Sequence, residues 1–167
     1  MITSASASLT AAEVANILQT GAIVVSAIGV IITVIWNNRV ARKRATLDMV
    51  MAEMMDPTQI DQRREFVRLR DAGNLVKYTS QEHANSDEAH YIRDTLNTYE
   101  LIAVGIKQKI LCEKSYKVWA RTTVVKEWMA CKPFVAQLRQ DGKVPTYYCE
   151  FEALAKKWAN PTEKPHC

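Results

Sequence analysis

Residues 17–36 read ILQTGAIVVSAIGVIITVIW, and no charged residue occurs anywhere between Glu13 and Arg39. A helix of this length rises about 30 Å at ~1.5 Å per residue, which is the thickness of the hydrocarbon core of a bilayer. Trp36 ends the run, where an aromatic side chain favours the membrane interface. The stretch is therefore predicted to be a transmembrane helix rather than a buried core helix.

The charges that flank this run predict its orientation. Four basic residues follow it closely: Arg39, Arg42, Lys43 and Arg44. No lysine or arginine precedes them, whereas a cleaved signal peptide carries its positive charges before the apolar run. The positive-inside rule therefore places the chain after Trp36 in the cytoplasm and residues 1–16 outside. The same four side chains are predicted to contact lipid headgroups, at about 1 kcal/mol per charge near an anionic surface.

One face of the predicted span carries small side chains. They are Ala22, Ser26, Gly29 and Thr33, at spacings of 4, 3 and 4. Small residues let the backbones of membrane helices approach one another closely. Because the chain has a single predicted span, its partner must come from another molecule. This face therefore predicts a homo-oligomer, with another protein as the alternative partner.

The net charge of +4 arises from the basic cluster alone. The chain has 22 basic and 18 acidic residues, so setting aside the four clustered cations leaves 18 of each sign. A nucleic-acid-binding protein would show a broader positive surface, and nucleic acid is not an expected partner. The four cysteines form no C-x-x-C pair and are expected to be reduced in the cytosol. Cys112, Cys131 and Cys149 are expected to be small buried side chains.

Helical signals follow one another through the rest of the chain. Asp56 and Pro57 predict a helix start, as the capping residue and the first helical residue. Further helices are predicted from near Ser86 and from near Ser115, with Pro133 kinking or dividing the second of these. Apolar side chains at helical spacing predict the buried positions. They are Ala89, Ile92, Leu96, Tyr99, Ala103, Ile106 and Ile110, then Val124, Trp128, Cys131, Val135 and Leu138, then Phe151, Leu154, Ala155 and Trp158.

No alternating strand pattern competes with these signals, so the predicted fold class is all-α. One N-terminal transmembrane helix is expected to continue into a cytoplasmic helical bundle. The predicted segments are a short extracytoplasmic tail (1–16), the transmembrane helix (17–36), a basic juxtamembrane helix extension (37–56), the helical domain (57–160) and a C-terminal tail (161–167).

Several short motifs occur in the order seen in one bacterial membrane family. They are Asn97-x-Tyr99-Glu100, Ala103-x-Gly105-Ile106, Tyr116-x-x-Trp119, Pro133-Phe134 and Phe151-Glu152-x-Leu154-Ala155-x-x-Trp158. Over roughly Leu47 to Trp158 the chain resembles the family catalogued as domain of unknown function 4760. The resemblance implies a single-pass protein of the bacterial inner membrane with a helical cytoplasmic domain, and several such proteins occur in prophages or mobile elements. It implies no known reaction.

The sequence offers no set of residues for catalysis or for a cofactor. No G-x-S-x-G or P-loop pattern occurs. His83, Asp87, His90 and Asp94 have spacings of 4, 3 and 4, but the first two lie in or beside a polar link, so no metal site is predicted. Arg63, Arg64, Arg68 and Arg70 alternate with acidic residues and are expected to form a solvated, ion-paired helix face.

Glu100 has no cationic neighbour one turn away on its own helix. Since an unpaired buried carboxylate is costly, its partner is expected on another helix. Arg121 is the leading candidate, with the Tyr116 hydroxyl and the Trp119 indole as alternatives. Glu100 and Arg121 are thus expected to brace two helices, with the lining of an oligomeric channel as the alternative role.

These observations predict a membrane-anchored helical interaction or scaffold protein that is not an enzyme and self-associates through its transmembrane helix. Its expected partners are the lipid bilayer, further copies of itself and another protein. The alternative is an oligomeric pore or membrane-perturbing effector in phage defence or phage–host conflict, which rests on analogy with small single-span proteins of such systems.

Overall fold

The structure is a computed structural model that describes residues 10–159, and every regular element in that range is a helix. The elements are α1 (Ala11–Met55), α2 (Pro57–Asp71), a short 3₁₀ helix (Leu75–Thr79), α3 (Asp87–Lys107), α4 (Glu113–Asp141) and α5 (Cys149–Ala159). The predicted all-α class is confirmed for this range, and the predicted tail 161–167 lies outside it. The chain divides into an N-terminal unit up to Ala41 and a C-terminal unit from Arg42.

The N-terminal unit contains a capped, strongly apolar stretch of α1. The Thr10 N–H donates to the Glu13 carboxylate at 2.8 Å, and the Glu13 N–H donates to the Thr10 hydroxyl at 3.4 Å. This reciprocal pair is a capping box, which satisfies the first backbone donors of the helix. An 18-residue window of α1 has a mean hydropathy of 2.2 and no buried residue. By length and composition, α1 is a candidate membrane span.

Local capping explains where α2 and α3 begin. The Asp56 carboxylate accepts a hydrogen bond from the Thr58 N–H at 2.8 Å, and Pro57 is the first residue of α2, as predicted. The Ser86 hydroxyl accepts from the Ala89 N–H at 3.3 Å at the start of α3. Both side chains accept hydrogen bonds from backbone N–H groups of the first turn, which have no acceptor within the helix.

Of the two effects predicted for Pro133, a kink or a division of α4, the division is wrong, because the helix runs through this residue to Asp141. Proline removes one helical hydrogen bond and favours a break. Pro133 is itself exposed, whereas Cys131, Phe134 and Val135 around it are buried. Burial of these neighbours holds the segment helical in spite of the proline.

Helix α3 supplies the centre of the core, and the first six of its seven predicted positions are buried. They are Ala89, Ile92, Leu96, Tyr99, Ala103 and Ile106. The prediction that Ile110, the seventh position, is buried is wrong, since this residue is 61% exposed. Helix α3 ends at Lys107, and the chain folds back so that Leu111 packs on Gly105. A β-carbon at Gly105 would lie 2.9 Å from Leu111 Cδ1, so a larger residue here would force the Leu111 side chain to shift.

Helix α5 inserts aromatic side chains between α3 and α4. The Phe151 ring stacks on Tyr99 at 4.7 Å between centroids and meets Trp128 edge-on at 5.2 Å. Trp158 is fully buried and lies 6.1 Å from the ring of Tyr116. The predicted buried positions of α5 are confirmed, as are those of α4 except Leu138, which is only half-buried.

Candidate functional site

The carboxylate of Glu127 on α4 is the most deeply buried charge among residues 10–159, with a side chain only 1% exposed. Its Oε1 accepts hydrogen bonds from Arg63 Nη2 at 2.6 Å and from Arg70 Nη1 at 3.3 Å. Both arginines lie on α2, two helical turns apart, so their side chains leave the helix in similar directions. Oε2 of Glu127 is buried and has no hydrogen-bond partner among the described residues.

The charges around Glu127 balance one another. Arg70 also pairs with Asp71 at 2.9 Å, so two cations face two carboxylates. Arg63 donates a further hydrogen bond from Nη1 to the Tyr99 hydroxyl at 2.7 Å. We refer to these five residues as the Arg63 cluster. The guanidinium of Arg63 is therefore already engaged by Glu127 and Tyr99.

Burial controls the protonation of the cluster. It raises the pKa of Glu127, and the positive charges of Arg63 and Arg70 act against that rise. Burial also raises the pKa of Tyr99 well above its usual range, and the charge of Glu127 adds to this rise. Tyr99 consequently remains a neutral phenol at physiological pH and can accept the hydrogen bond from Arg63.

The prediction of a solvated, ion-paired arginine face is wrong for two of the four residues. Arg64 pairs with Asp61 and Arg68 with Glu65 on the exposed side of α2, as expected. Arg63 and Arg70 instead turn inward to Glu127. The sequence of α4 carries the signal for this inward pairing, because Glu127 lies directly between buried positions of that helix. A carboxylate in such a stripe requires partners.

A cavity of about 530 Å³ lies beside the Arg63 cluster, between α2, α3 and α4 and the last turn of α1. Its volume falls within the range of small-molecule sites, roughly 300–1,000 Å³. Buried Tyr99, Ile102 and Tyr116 form its inner wall. Glu53 is a half-buried part of the wall, and the Trp119 indole at the rim is 61% exposed.

The carboxylate of Glu53 and the hydroxyl of Tyr116 line the cavity without a hydrogen-bond or ion-pair partner among the described residues. The residue Tyr116 is only 3% exposed. Burial raises the pKa of Glu53, and the positive charge of Arg63 opposes this rise. Burial also raises the pKa of Tyr116, with the negative charge of Glu53 adding to it. Tyr116 therefore presents a neutral hydroxyl to the cavity.

The predicted partner of Glu100 is wrong. Glu100 accepts hydrogen bonds from the backbone N–H groups of Glu150, at 3.2 Å, and Phe151, at 2.7 Å, in the first turn of α5. Arg121 Nε donates to the Trp158 carbonyl at 3.0 Å in the last turn of α5. A carboxylate at the N-terminus of a helix and a cation at its C-terminus both complement the helix dipole. The two predicted residues thus hold opposite ends of one helix.

The four residues of the predicted headgroup cluster have different surroundings. Arg39, Lys43 and Arg44 are exposed. Arg42 is half-buried and donates from Nη2 to the Leu111 carbonyl at 3.3 Å, in the turn between α3 and α4. Arg42 therefore has a structural partner, whereas the other three side chains are exposed.

The cysteines and histidines contribute no metal site within residues 10–159, where no group of three or more His, Cys, Asp or Glu residues could hold an ion. The expected burial of three cysteines is correct only for Cys131, whose pKa burial raises to about 12. Cys112 is half-buried and Cys149 is exposed, because both lie at helix starts rather than within a packed stripe. Cys167 lies outside the described residues.

These features define an all-helical protein with one strongly apolar N-terminal helix and a buried ion cluster beside a cavity. The chain belongs to the family described as Domain of unknown function (DUF4760), whose model matches residues 16–158. The match begins upstream of Leu47 and therefore includes the apolar stretch of α1. No curated protein and no solved structure matches the chain significantly.

Proposed function

We propose that this chain is a membrane-anchored interaction protein of the bacterial inner membrane. Residues 17–36 cross the membrane once, residues 1–16 lie outside, and the helical domain lies in the cytoplasm. One observation carries this proposal: the apolar window of α1 has a mean hydropathy of 2.2 with no residue buried. Such a continuous apolar surface is unfavourable in water, and a bilayer covers it at no cost to polar groups.

Replacing Ile28 with arginine is expected to release the protein from the membrane. A charged side chain at the centre of a transmembrane helix costs about 2.5–3.5 kcal/mol of insertion free energy. The full chain carrying a C-terminal fluorescent protein is expressed in bacteria, and membranes are washed at alkaline pH before quantification. The matched control is Ile110→Arg, which changes an isoleucine that is 61% exposed in the C-terminal unit.

Wild type and Ile110→Arg are expected in the washed membrane, with Ile28→Arg in the supernatant. A wild-type chain that the wash removes would contradict the anchor. Orientation is read from paired fusions at the C-terminus, where a fluorescent protein is active in the cytoplasm and alkaline phosphatase is active outside. The combined replacement of Arg39, Lys43 and Arg44 by glutamine should weaken the orientation bias, and it leaves the structural Arg42 unchanged.

We propose further that copies of the chain associate through Ala22, Ser26, Gly29 and Thr33. The Ser26 hydroxyl donates to the Ala22 carbonyl at 2.8 Å, and the Thr33 hydroxyl donates to the Gly29 carbonyl at 2.9 Å. The polar groups of this face are thus satisfied within the helix and require no water. A β-carbon at Gly29 would meet nothing within 4 Å, so the backbone is open to a neighbouring helix.

Gly29→Leu is expected to reduce the mass of the assembly in detergent, because the larger side chain keeps helices apart. Multi-angle light scattering on the full chain provides the measurement. Gly21→Leu is a matched control, since Gly21 is equally open but lies about 100° away from this face. A monomeric wild type, or equal effects of the two substitutions, would contradict this mode of association. An oligomer that releases dye from liposomes would favour the pore alternative over a scaffold.

The proposed role of the C-terminal unit is binding rather than catalysis. In the Arg63 cluster, two cations and two carboxylates neutralise one another. Catalysis by an acid, base or nucleophile needs a group poised towards a substrate. Arg63 and Tyr99 are instead committed to protein partners, an arrangement suited to supporting the wall of the neighbouring cavity.

A further inference from the structure

We propose that the cavity binds a small organic cation, a primary ammonium group on an aromatic or aliphatic body, with Glu53 as its charge partner, Tyr116 as its hydrogen-bond partner and Trp119 as its stacking surface. The proposal concerns the C-terminal unit alone and is independent of membrane anchoring. All three residues line the same cavity, Glu53 from α1 and the other two from α4.

The charges around the cavity favour a cation. Arg63 is the cation nearest to its inner wall, and the carboxylates of Glu127 and Asp71 balance it together with Arg70. Arg64 at the rim pairs with Asp61 at 3.2 Å. The carboxylate of Glu53 is the remaining charge of the lining, and no ion pair from a described residue neutralises it. An ammonium group would pair directly with this carboxylate, whereas an anion would be repelled by it.

The hydrogen-bonding capacity of the lining points the same way. An ammonium group offers three donors and no acceptor. Glu53 offers an acceptor without a partner among the described residues, and the Tyr116 hydroxyl is a second, although Tyr116 is 97% buried. Both groups face the cavity, so a ligand that supplies donors would form hydrogen bonds with them there.

The apolar surfaces suit the body of such a ligand. Ile102 and Ala120 are buried in the inner wall, and the rim carries the Met54 and Trp119 side chains. Cations bind over indole faces, and thioethers adapt their shape to different apolar groups. An ammonium held between Glu53 and Tyr116 could therefore project its body along the wall towards Trp119.

Equilibrium dialysis of the full chain in detergent, in phosphate buffer free of other amines, tests this site. The probes are phenethylammonium, its neutral analogue 2-phenylethanol and the anion phenylacetate. Phenethylammonium is expected to bind saturably, and at least about ten-fold more tightly than the other two, because only it can pair with Glu53. Glu53→Gln should weaken binding by about ten-fold, Trp119→Ala by about five-fold and Tyr116→Phe by a few-fold.

Asp48→Asn is the matched control, since Asp48 is an exposed carboxylate on the same helix and outside the cavity lining. It should leave the affinity for phenethylammonium unchanged. Far-UV circular dichroism and a melting curve establish that each variant is folded. The proposal is overturned if folded wild type shows no saturable binding of phenethylammonium, if Glu53→Gln binds it as tightly as Asp48→Asn does, or if phenylacetate binds more tightly.

Discussion

Replacing Trp158 with alanine is expected to lower the free energy of unfolding of the C-terminal unit by about 3–5 kcal/mol. The Trp158 side chain is fully buried, and its indole N–H donates to Glu113 Oε1 at 3.0 Å. Truncation therefore leaves a large cavity against Tyr116 and removes a hydrogen bond to a charged acceptor. Urea unfolding of the full chain in mild detergent, followed by far-UV circular dichroism, measures the loss.

The same substitution at a second tryptophan, Trp119, provides the control. Trp119 is 61% exposed, so Trp119→Ala should change the unfolding free energy by about 0.5 kcal/mol or less. Equal losses for the two tryptophans would show that α5 is not docked as described. A second readout is the response to acid, because Glu113 is one of the groups that fix Trp158.

Burial acts to raise the pKa of Glu113, but hydrogen bonds from Lys157 and Trp158 outweigh it, and the pKa is lowered. A carboxylate with a lowered pKa in the folded state contributes stability above its unfolded value of 4.5, and this stability is lost as the pH falls through the folded pKa. Trp158→Ala removes one of the donors. Part of this acid sensitivity should therefore disappear in the variant.

Glu127→Leu is expected to destabilise the C-terminal unit by about 3–5 kcal/mol. The substitution leaves Arg63 and Arg70 without the carboxylate that they share; the Arg70 side chain is only 10% exposed and that of Arg63 is 42% exposed. Because burial raises the pKa of Glu127, its ionised form is less favourable in the folded protein than in the unfolded chain. The contribution of Glu127 to the free energy of unfolding therefore falls as the pH rises from about 4.5 through the folded pKa. Glu127 stabilises the fold because its carboxylate neutralises the positive charges of Arg63 and Arg70.

Two comparisons isolate that effect in the same urea assay. Glu65→Leu removes an exposed partner of Arg68 and should cost about 0–1 kcal/mol. The combined change of Arg63 and Arg70 to methionine with Glu127→Leu replaces all the central charges and should recover much of the lost stability. A loss for Glu127→Leu no greater than that for Glu65→Leu would contradict a stabilising role of the cluster.

The helices of the C-terminal unit were largely predictable because their signals are local. Asp56 and Ser86 bind N–H groups only two or three residues away, so capping can be inferred from neighbouring letters. The buried stripes of α3 and α4 follow from apolar spacing in the same way. The errors occur where packing overrides a local signal. Pro133 remains helical between buried neighbours, and Ile110 is exposed because Leu111 folds onto Gly105.

The candidate site was much less predictable. Arg63 and Glu127 are 64 positions apart, and Glu100 and Glu150 are 50 apart. Helical periodicity shows that such a charge needs a partner, but many cations and backbone groups could serve. Arg121 has the charge that Glu100 would pair with, but it lies at the opposite end of α5. Nothing in the neighbouring sequence marks Glu53 and Tyr116 as walls of one cavity.

The sequence by itself determined the helical class, the starts of α2 and α3 and the existence of a long uncharged apolar run, because each depends on residues within a turn or two. Only the tertiary structure decided that Glu127 receives Arg63 and Arg70, and that Glu100 and Arg121 hold opposite ends of α5. The energy of a charge depends on its burial and on distances of a few ångströms to its partners. Those quantities exist only after α2, α3, α4 and α5 have packed together.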